Sequence, residues 1–161
     1  MIGSTHVANS ILRKFKLNNE LITPLRLHCL VYLLYSNCLY YEGVLFNETF
    51  VIDEGIPKVP NLSYKFDCYK NKVIESYALN AIEEVIFVKE KDDLFNYCLN
   101  NIINKYNGYS DFELLNFIKE EGNLISNYHN GEVIKICDIL EDEINRNKSI
   151  LDNAIKLRKK L

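Results

Sequence analysis

Three histidines, five cysteines and a few acidic runs are the side chains of this 161-residue chain best equipped for chemistry. A histidine acts as base, proton shuttle or ligand only beside a nucleophile, a carboxylate or a metal. His6, His28 and His129 have no such neighbour at a useful spacing. His28 directly precedes Cys29, but adjacent helical residues diverge by about 100 degrees, so the two do not form a base and nucleophile. Cys29, Cys38, Cys68, Cys98 and Cys137 are odd in number, contain no Cys-x-x-Cys pair and stand away from histidine at zinc spacing. They read as free, mostly buried thiols of a reducing compartment. Glu83-Glu84, Glu120-Glu121 and Glu141-Asp142-Glu143 lack the alternating ligands and central glycine of a calcium loop, and read as solvated helix faces. Gly55, Gly108, Gly122 and Gly131 are isolated, so no phosphate-cradling loop is present. The expectation is a protein without metal or cofactor that is not an enzyme.

Contact surface is better provided for. Eleven tyrosines and eight phenylalanines are present, and tyrosine combines a large contact area with a polar tip. Tyr32, Tyr35, Tyr40 and Tyr41 cluster in one segment, where the competing reading is burial of aromatic residues at helical spacing. A candidate partner-binding face combines Tyr32 and Tyr35 with the stretch holding Gly55, Pro57, Pro60 and Tyr64. The prolines there limit the ordering entropy lost on binding.

These residues need a scaffold, and the periodicity supplies a mainly helical one. Val7, Ile11, Leu12 and Phe15 predict a helix over 6–17. Thr23-Pro24 is a cap followed by a first-turn proline, and opens a central helix to about Tyr40. Its apolar residues Leu25, Leu27, Leu30, Val31, Leu33 and Leu34 exceed one stripe, so it is expected to pack on two neighbours. Alternation through 44–53 suggests a short strand or hairpin. A loop containing Gly55, Pro57 and Pro60 follows, then a short helix through Leu62 and Phe66. Over 71–91, Ala78–Glu84 favours helix and Val85–Val88 resembles a strand. Asp92 or Asp93 caps a helix that stops at Asn107-Gly108. Ser110 and Glu113 stand at capping-box spacing for a helix closed by Gly122.

From Glu132 to Leu161 nothing breaks a helix. A heptad frame places Val133, Ile136, Leu140, Glu143, Asn147, Ile150, Ala154, Leu157 and Leu161 on one seam. Asn147, Ile150 and Leu157 would then mark a coiled-coil homodimer, a polar inner residue selecting register. The competing reading packs the first half on the core and lets the last turns project. The domain organisation expected is a helical domain over 1–131 and a long C-terminal helix over 132–161.

The composition, 48% apolar and 25% charged, suits one globular core. The net charge of -3 hides a division, with residues 146–161 at +5 and the rest at -8. The basic end offers nucleic acid a weak foothold, although cations also favour a helix C-terminus. The apolar run Cys29–Tyr41 is too short to span a bilayer and reads as a core helix. Together with the absence of an export signal and the thiol usage, this points to a cytoplasmic protein.

Several motifs recur in a familiar order. Val7-Ala8-Asn9-Ser10-Ile11-Leu12, then Ile22-Thr23-Pro24-Leu25-Arg26-Leu27-His28-Cys29-Leu30-Val31-Tyr32-Leu33, resemble the opening of the Panacea domain, the SocA-like or phage-associated protein family. Phe50 to Tyr64 resembles its aromatic strand, turn and Pro-x-Leu-Tyr helix start, and Tyr109-Ser110-Asp111-Phe112-Glu113-Leu114 its Tyr-Ser-x-x-Glu-Leu segment. The resemblance covers about residues 6–127. Ile56 between Gly55 and Pro57, Ile118-Lys119 in place of Thr-His, and no tryptophan after Glu121-Gly122 mark a divergent member. The resemblance implies a mostly helical domain of prophages and mobile elements. It also implies an antitoxin that binds its toxin directly, in the SocA type delivering it to a protease. A phage-encoded inhibitor of a host defence or regulatory protein is the alternative, and a DNA-binding regulator using the basic end stands behind both.

Overall fold

Capping, burial and backbone pairing together give a mainly α fold with a small two-stranded antiparallel sheet and a long C-terminal helix. The computed structural model describes residues 2–120 and 124–160, and for residues 149–154 it describes the helical backbone without the side chains. Helix α1 (Ser4–Leu17) starts where His6 Nδ1 accepts the Gly3 N–H at 3.1 Å. Val7, Ile11, Leu12 and Phe15 are buried as their spacing predicts, and so are Asn9 and Ser10. Those two polar residues hold the 78–88 segment. Asn9 Nδ2 donates to the carbonyls of Ala78 and Ile86, its Oδ1 accepts the Ala78 N–H, and Ser10 Oγ accepts the Val88 N–H.

That segment is not a helix at Ala78–Glu84, nor a continuous strand beyond. Asn80 Oδ1 accepts the N–H groups of Ile82 and Glu84, offering the backbone a turn in place of a helix. Leu79 and Val85 close it with a single bridge.

Helix α2 (Pro24–Tyr41) is the centre of the molecule. Thr23 Oγ1 accepts the Arg26 N–H at 3.3 Å, as a cap should. The helix is buried nearly all round and contacts α1, the sheet and three of the four helices that follow it. That is why its apolar residues exceed one stripe.

Strands β1 (Val51–Asp53) and β2 (Ile56–Lys58) pair antiparallel, with Ile52 opposite Pro57. Only the end of the expected 44–53 strand is extended into the sheet, whereas Phe46 and Phe50 go into the core. The second strand comes from residues read as a loop. Glu54 and Gly55 both have positive φ, 52° and 76°, the condition for a two-residue hairpin turn. Pro57 is tolerated because β2 is an edge strand.

The other edge of β1 is filled by residues 131–134. Gly131 and Ile134 donate to the carbonyls of Ile52 and Phe50, and Ile52 donates to Glu132. This pairing corrects the expected helix start at Glu132: residues that nothing in their own sequence stops from being helical take backbone partners on β1 instead. Helix α6 (Ile136–Lys159) begins four residues later.

Helix α3 (Pro60–Phe66) runs into a 3-10 turn at Asp67–Tyr69. Helix α4 (Asp93–Tyr106) is capped by Asp92 on the Phe95 N–H, and α5 (Asp111–Lys119) by Ser110 on the Glu113 N–H. Helix α5 ends at Lys119, before Gly122, which lies outside the described residues. Arg26 ties α2 to the α4–α5 turn through the carbonyls of Tyr106 and Tyr109 and the Asp111 carboxylate. Ile134 and Ile139 join the same hydrophobic core as α1 and α2. Among the described residues no helix is long and apolar enough to cross a membrane.

Candidate partner-binding surface

The central position of α2 removes two of the six residues of the expected face. Tyr32 and Tyr35 are fully buried, their rings packed on Phe46 and Phe50 with centroids 4.9 to 5.4 Å apart. Neither can touch a partner. Helical spacing turns these two inward while Tyr40 and Tyr41, at the C-terminal end of the helix, stay outside.

The remaining expected residues differ in exposure. Gly55 forms the hairpin turn, its N–H donated to Asn130 Oδ1 at 2.9 Å. Pro57 is buried, which takes it out of the proposed contact set, because β2 packs on α2. Pro60 is exposed, and Tyr64 is 89% exposed on the outer side of α3.

Lys58 of β2 belongs to a polar centre that spacing did not reveal. Lys58 Nζ donates to Asp53 Oδ2 and Asp67 Oδ2, both at 3.1 Å, and His28 Nε2 lies 2.8 Å from Asp67 Oδ1. His28 therefore has a carboxylate partner after all, 39 residues away in sequence. The group borders a cleft of about 490 Å³ that also meets Thr23, Lys70 and Asp111. It is a satisfied ion network with its charges committed to each other. Burial alone would raise the Asp67 carboxyl, but the hydrogen bonds and charges of His28 and Lys58 outweigh it and hold it below the usual range. Burial likewise works against the Lys58 ammonium, and its two carboxylates outweigh it and raise it.

A pH dependence follows. A depressed carboxyl stabilises the fold above its unfolded value, near 4, and the contribution disappears as pH falls through the folded value. A raised lysine stabilises below about 10.5 and loses its contribution as pH climbs through the folded value. Denaturation midpoints measured from pH 2 to 7 should therefore fall on the acid side, and Asp67→Asn should flatten part of that slope.

The exposed aromatic surface is elsewhere. Tyr40 and Tyr41 at the end of α2 are joined by Tyr97 of α4, the three being 43%, 52% and 53% exposed. Tyr40 meets Tyr41 edge-on at 5.0 Å, and Tyr41 meets Tyr97 at 6.1 Å. Scattered apolar residues on a surface need no explanation, but three rings holding one another on two helix ends form a patch. Tyr97 was missed because its neighbours come from another helix. The signal available was its place beside Cys98 on the polar flank of α4.

The residues assigned to a coiled coil are dispersed. Val133 lies in the extended segment, Ile136 and Leu157 are exposed, and Glu143 is buried against α2. Asn147 is half-buried, its Nδ2 enclosed without a hydrogen-bond partner among the described residues. Ile150, Ala154 and Leu161 fall outside the described side chains. The buried residues of α6 among its described side chains are Ile139, Asp142, Glu143 and Arg146, so of the run Glu141-Asp142-Glu143 expected on a solvated face only Glu141 is exposed. Arg146, counted with the basic end, pairs internally with both carboxylates.

Of the cysteines, Cys29, Cys38 and Cys98 are buried and Cys68 and Cys137 exposed. Burial pushes the Cys29 thiol up to about 12, leaving it unreactive. Among the described residues no group of three or more histidine, cysteine or acidic side chains is placed to hold a metal ion. Comparison with known proteins finds no matching family model and no significant match among curated proteins or solved structures.

Proposed function

We propose that this protein is an antitoxin-like neutraliser that acts by binding a partner toxin directly. The observation that carries the reading is the Tyr40–Tyr41–Tyr97 patch. Tyrosines concentrate binding energy at interfaces because each offers a large area and few rotatable bonds. Here they are seated on α2 and α4, so little freedom is lost on contact. The resemblance of residues 6–127 to the Panacea domain supplies the class of partner. The body of the chain, at -8 over residues 1–145, favours a basic partner in the encounter.

Co-expression tests the reading. The neighbouring open reading frame is induced alone, with the wild-type chain, and with a Tyr41→Ala/Tyr97→Ala variant. Growth arrest by the neighbour, relieved by wild type and not by the variant, is the expected result. Equal relief by both chains would remove the tyrosines from the interface, and a harmless neighbour that does not bind the chain would remove that toxin as the partner.

A further inference from the structure

Helix α6 has two sides of different character. Ile139, Asp142, Glu143 and Arg146 face the body of the molecule, and the three charged ones bond to Tyr32, Ser36 and Asn37 of α2. At about 100 degrees per residue, a second row lies roughly a quarter turn round the helix and holds Ile136, Leu140, Ile144, Asn147 and Ile155. Ile136, Ile144 and Ile155 are 46%, 45% and 44% exposed, and Leu140 is half-buried. Single apolar residues on a surface are ordinary, but a row of them at helical spacing is an open face. Asn147, in the same row, keeps its Nδ2 enclosed without a hydrogen-bond partner, a donor that the single chain leaves unmet.

The charge along the helix says what covers this face. Asp138 and Glu141 lie in its first turns, whereas Lys156, Arg158 and Lys159 lie, exposed, in its last. Asp142 and Glu143 are already paired with Arg146. Such a helix is complementary to a copy of itself running the opposite way, and repels a parallel copy, whose basic ends would coincide. We propose that two copies of this chain pair through α6 in antiparallel fashion, with Ile144 of each packed against Ile155 of the other. In that register the two-fold axis crosses the helices near position 150. Glu141 and Lys159, about five turns apart on one line of the helix, are equidistant from the axis. Each therefore comes opposite the other across the interface. This seam is not the frame that runs through Val133, Glu143 and Leu157, because Glu143 is turned to α2. It goes beyond the proposed toxin binding and does not depend on the tyrosines of α2 and α4.

Sedimentation equilibrium on the full-length chain tests the pairing. Wild type should show a monomer–dimer equilibrium that shifts with concentration. Ile144→Arg, at a position 45% exposed in the single chain, should keep its helical content by circular dichroism and weaken the dimer at least about tenfold. Glu141→Lys and Lys159→Glu should each weaken it several-fold at low salt, and the two together in one chain should restore most of the affinity. The two positions are about 27 Å apart on a single helix, so the restoration arises between copies. A wild type that stays monomeric up to about 1 mM, or a dimer indifferent to Ile144→Arg, would overturn the proposal. A dimer weakened by Ile144→Arg but not restored by the double charge exchange would overturn the antiparallel register.

Discussion

Replacing Arg146 with alanine is expected to cost about 3–5 kcal/mol of folding stability, the range for removing one member of a buried ion group. Arg146 is buried with Asp142 and Glu143 between α6 and α2. Its guanidinium donates to Asp142, to Glu143 Oε2 at 2.7 Å and to Ser36 Oγ at 3.1 Å. Tyr32 and the Leu124 N–H also donate to Asp142, and Ser36 and Asn37 to Glu143. Burial alone would discharge the arginine, but the two carboxylates outweigh it and raise it further, so it stays charged. Alanine would leave two carboxylates out of water with no cation. Urea denaturation at pH 7 should show the loss as a lower midpoint. Adding Asp142→Asn and Glu143→Gln to Arg146→Ala should recover part of it, because the neutral amides have less charge to desolvate. A loss below 1 kcal/mol for Arg146→Ala would mean the end of α6 is not held in this way.

Tyr35→Ala should cost a similar 3–5 kcal/mol, the usual range for deleting a buried aromatic side chain. Tyr35 packs against Phe46 at 4.9 Å and Phe50 at 5.1 Å, so truncation leaves a cavity among rings contributed by α2 and by the chain leading into β1. Tyr64→Ala, at a position 89% exposed, should stay within about 0.5 kcal/mol of wild type. The two variants, compared by thermal melting, separate the core tyrosines from the surface ones. Near-equal stabilities would place Tyr35 on a surface and restore it to the partner face.

The contrast between those tyrosines shows what a sequence can and cannot reveal. Local signals worked: Thr23-Pro24, Asp92 and Ser110 cap helices where their hydroxyls and carboxylates can reach free N–H groups. The apolar excess of α2 correctly implied a central helix. Signals that depend on distant partners were not legible. The strand at Ile56–Lys58 and the extended stretch at 131–134 exist because β1 offers hydrogen bonds on both edges, and nothing within those residues marks them as extended. In the first half of α6 the heptad frame gives way for the same reason. Asp142, Glu143 and Arg146 are charged residues that turn inward because they satisfy one another and Ser36 of α2. The Asp53–Lys58–Asp67–His28 network joins three parts of the chain, so no spacing rule could find it. The tyrosine patch was half legible, since Tyr40 and Tyr41 were singled out and Tyr97 had to be brought by α4.

The central claim is that Tyr41 and Tyr97 anchor a protein partner. Affinity-tagged wild type and Tyr41→Ala/Tyr97→Ala chains, matched in thermal stability, are recovered from the native cells, and the bound proteins are quantified by mass spectrometry. A stoichiometric small toxic protein held by wild type and reduced at least about tenfold by the variant, the effect of losing roughly 1.4 kcal/mol or more, is the predicted result. The same prey retained at equal abundance by both chains would contradict the account.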